Sequence, residues 1–162
     1  MNKAIKNDIE KKYIEAVELY EEEIVIETSP DVNCFINLAF LYWSFAAEQI
    51  EFNDPNEIGE EWSAIGGAKF LSTLDKGLAH HPDHLELIFW RRYFLYRLYM
   101  VSFSEHDCLE LLKYGKDFSL VPYFFLYLFD KKSHIHQMSK LRKTCIDLPT
   151  AKNIYIGSFI DG

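Results

Sequence analysis

Between Tyr13 and Ala68 the chain has no lysine and no arginine, although the same stretch holds thirteen Asp and Glu. That absence excludes the usual solubilising helix surface, in which a basic residue follows an acidic one at i+4 and gains a few tenths of a kcal/mol per pair. Cysteine is scarce too. Cys34, Cys108 and Cys145 are odd in number, far apart and free of any C-x-x-C spacing, which points away from a disulfide framework or a common zinc site and fits a reducing, cytoplasmic compartment.

A long uncharged hydrophobic run is also missing. The most apolar stretch, "LELIFWRRYFLYRLYMVSF", carries Arg91, Arg92 and Arg97 in its middle and would cross a bilayer only at high cost. The opening "MNKAIKNDIEKKYIEAVELYEEE" turns charged at once and lacks the apolar core of a signal peptide. No membrane contact is therefore expected. Catalytic signatures are lacking as well: there is no G-x-S-x-G, no phosphate-cradling glycine loop and no H-E-x-x-H. Glutamates in runs, "YEEE" and "GEEW", read as solvated helix faces rather than an acid/base pair. The expectation is a protein that is not an enzyme and takes no cofactor.

The 162 residues present are 49% apolar and 16% aromatic, enough for one domain packed largely on flat side chains. Helix signals dominate. Ile9, Tyr13, Val17, Tyr20 and Ile24 recur at helical spacing after Asn7 or Asp8, and Asp31 or Asn33 can cap a second helix reaching about Ile50. A third runs from Glu57 to about His80, with Gly66-Gly67 as a point of splitting or bending. Pro82 opens a fourth, Asp83 to Val101, apolar around most of its circumference and hence central. Ser104 and Asp107 form a capping-box pattern for a short helix ending at Gly115, Pro122 starts a sixth, and Ser133 a seventh ending near Cys145. The predicted fold is all-α, about seven helices in antiparallel pairs, with one domain over 1–148 and an extended tail over 149–162 that includes "NIYIGSF".

The pairs carry a family resemblance. "YIEAVELYEEEIVIETSPDVNCFINLAFLYWSFA" is similar to the tetratricopeptide repeat: Ala16 and Tyr20 match the small and aromatic positions of one helix, Pro30 the turn, and Phe35, Leu38, Ala39 and Tyr42 the next helix. "FLSTLDKGLAHHPDHLELIFWRRYF" repeats the theme with Gly77, Pro82, Leu87, Trp90 and Phe94, but Arg91 stands where a small residue is expected and the insert around "FNDPNEIG" lengthens the unit. The resemblance implies a short right-handed superhelix, or an irregular bundle of the same helices, that binds other proteins. As an adaptor it would hold a peptide or helix in a groove bearing Trp90 or Tyr42.

Histidines are the remaining candidates for chemistry. "HHPDH" gathers His80, His81 and His84 with Asp83, and "HIHQM" adds His134 and His136. Neither places two imidazoles on one face of an uninterrupted helix, so no metal site is expected.

The acidic stretch gives the sharpest expectation. Glu51, Asp54, Glu57, Glu60 and Glu61 crowd into twelve residues, and Trp62, Tyr42 and Trp43 lie interleaved as candidate aromatic anchors. Such a face would steer and dock a basic protein. Net charge of -8 argues against nucleic acid as ligand. In size and charge the chain resembles the immunity proteins of bacterial toxin systems, including contact-dependent growth inhibition. That resemblance implies neutralisation of a basic nuclease-type toxin domain by carboxylates standing where phosphates would lie.

Overall fold

Short oxygen-bearing side chains start three of the helices. Asn2 Oδ1 accepts the Ile5 N–H at 2.9 Å, Asp31 Oδ1 accepts the Asn33 N–H at 2.8 Å, and Ser104 Oγ accepts the Asp107 N–H at 3.1 Å while Asp107 Oδ2 accepts the Ser104 N–H at 2.9 Å. The computed structural model describes residues 1–160, which form nine α-helices and one π-helical turn; no strand occurs among them. The all-α expectation holds. The chain divides into two compact units, one spanning Met1–Pro82 and a second beginning at Asp83, where the sequence reading expects a single domain.

The first unit comprises α1 (Lys3–Ile9), α2 (Tyr13–Ile26), α3 (Val32–Ala47), the π-helical turn Gln49–Asn53 and α4 (Glu61–His80). Asp8 meets Tyr20 and Asn2 meets Glu23, so α1 runs antiparallel to α2. Tyr42 meets Glu21 while Tyr13 meets Phe52, which sets the chain from α3 into the π turn antiparallel to α2. Phe35 stacks on His80 and Phe45 meets Trp62 edge-on, which sets α4 antiparallel to α3. This pairing is compatible with a tetratricopeptide-like arrangement. Helix α3, "VNCFINLAFLYWSFAA", contains no charged residue and is buried from Cys34 through Phe45, so it is the centre of this unit rather than an amphipathic flank.

The second unit comprises α5 (Leu85–Tyr99), α6 (Glu105–Tyr114), α7 (Pro122–Tyr127), α8 (Ile135–Asp147) and α9 (Ala151–Ile160). Phe89, Trp90, Tyr93 and Phe94 on α5 are fully buried, and Phe89, Trp90 and Tyr93 each contact Phe124 with ring centroids 5.4 to 5.8 Å apart. The start of α5 is capped from a distance: Asp117 Oδ1 accepts the Leu85 N–H at 2.9 Å.

Three expectations change. The first helix is two, because Lys11 takes a left-handed backbone with φ of 63° between them. Gly66-Gly67 does not split α4: Gly66 lies where a Cβ would sit 2.1 Å from the Tyr42 carbonyl oxygen, so the glycine lets α4 approach α3 closely. The extended tail over 149–162 is corrected over 151–160, which is helical. Thr150 Oγ1 accepts the Asn153 N–H at 3.3 Å, and Asn153, Ile156, Gly157 and Ile160 fall on one buried face. Lys152 reaches Glu86 at 2.9 Å with both side chains almost fully buried, and Glu86 Oε1 also accepts Trp90 Nε1–H at 3.1 Å. Burial and this ion pair override the β-branched character of "NIYIGSF".

Two tests follow from packing. Gly66→Ala should cost about 2 kcal/mol or more, since an overpacked contact against backbone outweighs the roughly 1 kcal/mol that alanine gains in a helix. Gly67→Ala, whose Cβ would meet only Ala46 at an ordinary 3.8 Å, should be neutral or stabilising; equal urea midpoints for the two variants would refute the close approach. Lys152→Met should cost about 3 kcal/mol or more by stranding the Glu86 carboxylate, whereas the double variant Lys152→Met with Glu86→Gln, whose neutral amide oxygen can still accept the Trp90 N–H, should recover much of it. A double variant no more stable than the single would show that the ion pair itself, not its stranded half, sets the stability.

Candidate functional site

The acidic segment is an ordered turn anchored from beneath by aromatic rings. In the π-helical turn the Phe52 and Asn53 N–H groups both bond to the Glu48 carbonyl, at 2.8 and 3.1 Å, and the Asp54 N–H bonds to Gln49 at 3.0 Å. Phe52 packs 4.8 Å from Tyr13 and 6.1 Å from Phe45, and the half-buried Trp62 packs 5.6 Å from Phe45. Side-chain amides tie the segment to the helices: Asn53 Nδ2–H donates to the Phe45 carbonyl at 2.8 Å, and Gln49 Nε2–H to Ser63 Oγ at 2.8 Å. Glu57 closes the loop with φ of 56°.

On this platform Glu51, Asp54, Glu57, Glu60 and Glu61 are all exposed, and no ion pair of the first unit engages any of them. Glu60 and Glu61 stand at the N-terminus of α4, where the exposed N–H groups favour negative charge. Glu51, Asp54 and Glu57 have no such α-helical terminus beneath them. Residues 1–82 carry sixteen Asp and Glu against six Lys and Arg; residues 83–162 carry nine against eleven. The chain's net charge of -8 thus combines a first unit at about -10 with a second at about +2.

The aromatic anchors divide. Trp62 belongs to the acidic segment. Tyr42 and Trp43 are corrected: at 1% and 0% exposure they are core side chains on α3, the Tyr42 hydroxyl donating to Glu21 Oε1 at 2.6 Å. They fail as surface anchors because α3 is enclosed on every side. Trp90, equally buried, cannot line a groove either.

The histidines have local tasks. His80 stacks on Phe35 with centroids 5.4 Å apart, His81 Nε2 lies 2.9 Å from the Pro30 carbonyl oxygen, and His84 Nε2 lies 3.1 Å from Asp117 Oδ2. His134, with φ of 57°, packs against Tyr123, and His136 is exposed. Among the described residues no three His, Cys, Asp or Glu side chains gather as a metal site, and no helix is long and apolar enough to cross a membrane. All three thiols are buried. Burial pushes the Cys34 thiol well above its ordinary range, with the Glu23 carboxylate adding to the effect, and burial pushes Cys108 up to about 12. Neither is a ready nucleophile.

One concave feature escaped the sequence reading: a cleft of about 380 Å3 between α5 and α6, lined by Leu85, Ile88, Glu110, Leu111 and Tyr114 among others. Its signal was present in the helical spacing of Leu85, Ile88 and Arg92 on α5. Compared with known proteins, the chain matches no family model, no curated protein and no solved structure.

The raised thiol has a pH consequence. Cys108 is protonated in the fold up to about 12 but ionises near 9.0 when exposed, so its contribution is complete below pH 9 and is lost as pH rises toward 12. Urea midpoints measured from pH 8 upward should fall. In Cys108→Ala, less stable throughout because of the lost packing, the fall should be shallower; an unchanged slope would remove the thiol from the account.

Proposed function

We propose that this is a non-catalytic protein-binding protein whose acidic first unit docks a basic protein partner. In its most specific form the reading is an immunity-type inhibitor that covers the substrate cleft of a basic, nuclease-type bacterial toxin domain. The observation that carries it is the set of five exposed carboxylates, Glu51 through Glu61, held on a hydrogen-bonded turn without a cation to pair with in their own unit. An unpaired set of this kind gives up a little stability through mutual repulsion. In return it supplies a field that can speed association with a basic surface about 10 to 1000-fold and that is screened beyond about 8 Å at physiological salt. Half-exposed Trp62 is the aromatic that remains available at the edge of this face.

A basic nuclease cleft is the natural complement, because it is built to hold a row of phosphates, and carboxylates on an ordered loop offer charge of the same sign. Nucleic acid itself would be repelled. A tetratricopeptide-like adaptor holding an apolar peptide is the other reading. Its expected anchors, Tyr42 and Trp90, are core residues, so the acidic turn favours the first reading.

The test is affinity capture from the native cell at low and at high salt, with the wild type beside a variant carrying Glu51→Lys, Glu57→Lys, Glu60→Lys and Glu61→Lys. Wild type should retain one basic domain that high salt releases, and should block that domain's activity in a nuclease assay. The variant, helical by circular dichroism, should retain and block nothing. Equal capture by both proteins would show that the acidic turn is not the docking face.

A further inference from the structure

The α5/α6 cleft lies within the second unit and is independent of the acidic turn. Leu85 and Ile88 from α5 and Leu111 from α6 form its floor. Each end is closed by an ion pair, Arg92 Nη2 to Asp107 Oδ2 at 3.5 Å at one end and Lys116 Nζ to Asp83 Oδ2 at 3.0 Å at the other. Both cations of the lining are thereby neutralised. A third carboxylate, Glu110, faces the cleft between them, and its ionic contact is a distant one, 3.9 Å from His106 Nε2 on the outer surface of the same helix.

Two further features shape the site. Tyr114, mostly exposed, lines the cleft with its ring, over which the Lys113 ammonium already lies 5.2 Å from the centroid. The C-terminus of α6 ends there as well: Gly115 leaves the helix with φ of -63° and ψ of 139°, so the last carbonyls of a ten-residue helix have no capping turn wrapped over them. A Cβ on Gly115 would lie 3.3 Å from both methyls of Leu85, so the glycine lets the end of α6 close down on the floor.

We propose that this cleft binds a small organic cation, an amidinium or ammonium group on an apolar body. The apolar body would lie on Leu85, Ile88 and Leu111, with the charged group between Glu110 and the α6 carbonyls. An anion is disfavoured, because Arg92 and Lys116 already have carboxylate partners and Glu110 would repel it. A neutral apolar ligand would desolvate Glu110 with nothing in return. The volume suits a body of one ring and its substituent.

The test is titration of the full chain with benzamidine, followed by backbone amide resonances, beside its uncharged isostere benzamide. Benzamidine should shift the signals of Leu85, Ile88, Leu111 and Tyr114 saturably while benzamide leaves them in place. Glu110→Gln, a half-exposed change that leaves the floor intact, should weaken benzamidine about fivefold, as for the loss of one partly solvated ion pair. Ile88→Phe should block binding by filling the floor. Equal binding of the two probes, an unchanged affinity in Glu110→Gln, or shifts confined to other residues would each overturn the proposal, and none of these results bears on the acidic turn.

Discussion

The first unit depends on one constraint: α3 is a sixteen-residue helix without a charge, and it must be enclosed on all sides. Such a helix has no solvent face, so its neighbours have to supply surfaces that fit closely around it. Ala16 on α2 is fully buried, and Gly66 brings the α4 backbone against Tyr42 at a distance no side chain would permit. Because α3 carries no charged residue, the unit's charge is displaced onto the outer faces of α2 and α4 and onto the turn between α3 and α4. Crowding of carboxylates at Glu51 to Glu61 is thus partly a consequence of where the core lies.

The same distribution separates structural from surplus charge. Glu60 and Glu61 sit where a helix N-terminus stabilises them, and Asp107 is held below the usual carboxylate range by its hydrogen bonds to Ser104. Glu51, Asp54 and Glu57 have no comparable local support. Their loop is nonetheless fixed by backbone bonds and by Asn53, whose amide is spent on the Phe45 carbonyl. Carboxylates on a rigid turn lose little freedom on meeting a partner, which matters more for affinity than their number.

Helix content and most helix starts were legible in the residues, because capping is local: Asp31, Ser104 with Asp107, and Pro122 all start helices where their chemistry says they should. What the sequence hid was decided by tertiary contact. Lys11 and Glu57 adopt left-handed backbones with no glycine to announce them. The glycine pair looked like a breaker and proved to be a close-packing device at Gly66. Residues 151–160 read as extended because Ile154, Tyr155 and Ile156 favour strands in isolation, yet the buried Lys152–Glu86 pair and one apolar face hold them helical. The exposure of the five carboxylates was readable from their charge alone. The burial of Tyr42 and Trp43 was not, because it follows from α3 being central.

The polar chain that crosses the second unit has an optical side. Trp90 is packed among Phe89, Tyr93, Phe94 and Phe124, and its indole N–H is bonded to the carboxylate that holds Lys152 of α9. Indole emission depends on the field and the water around the ring. Any loosening of α9 that frees Lys152 from Glu86 would alter both at Trp90, so this unit carries an intrinsic fluorophore wired to the docking of its last helix.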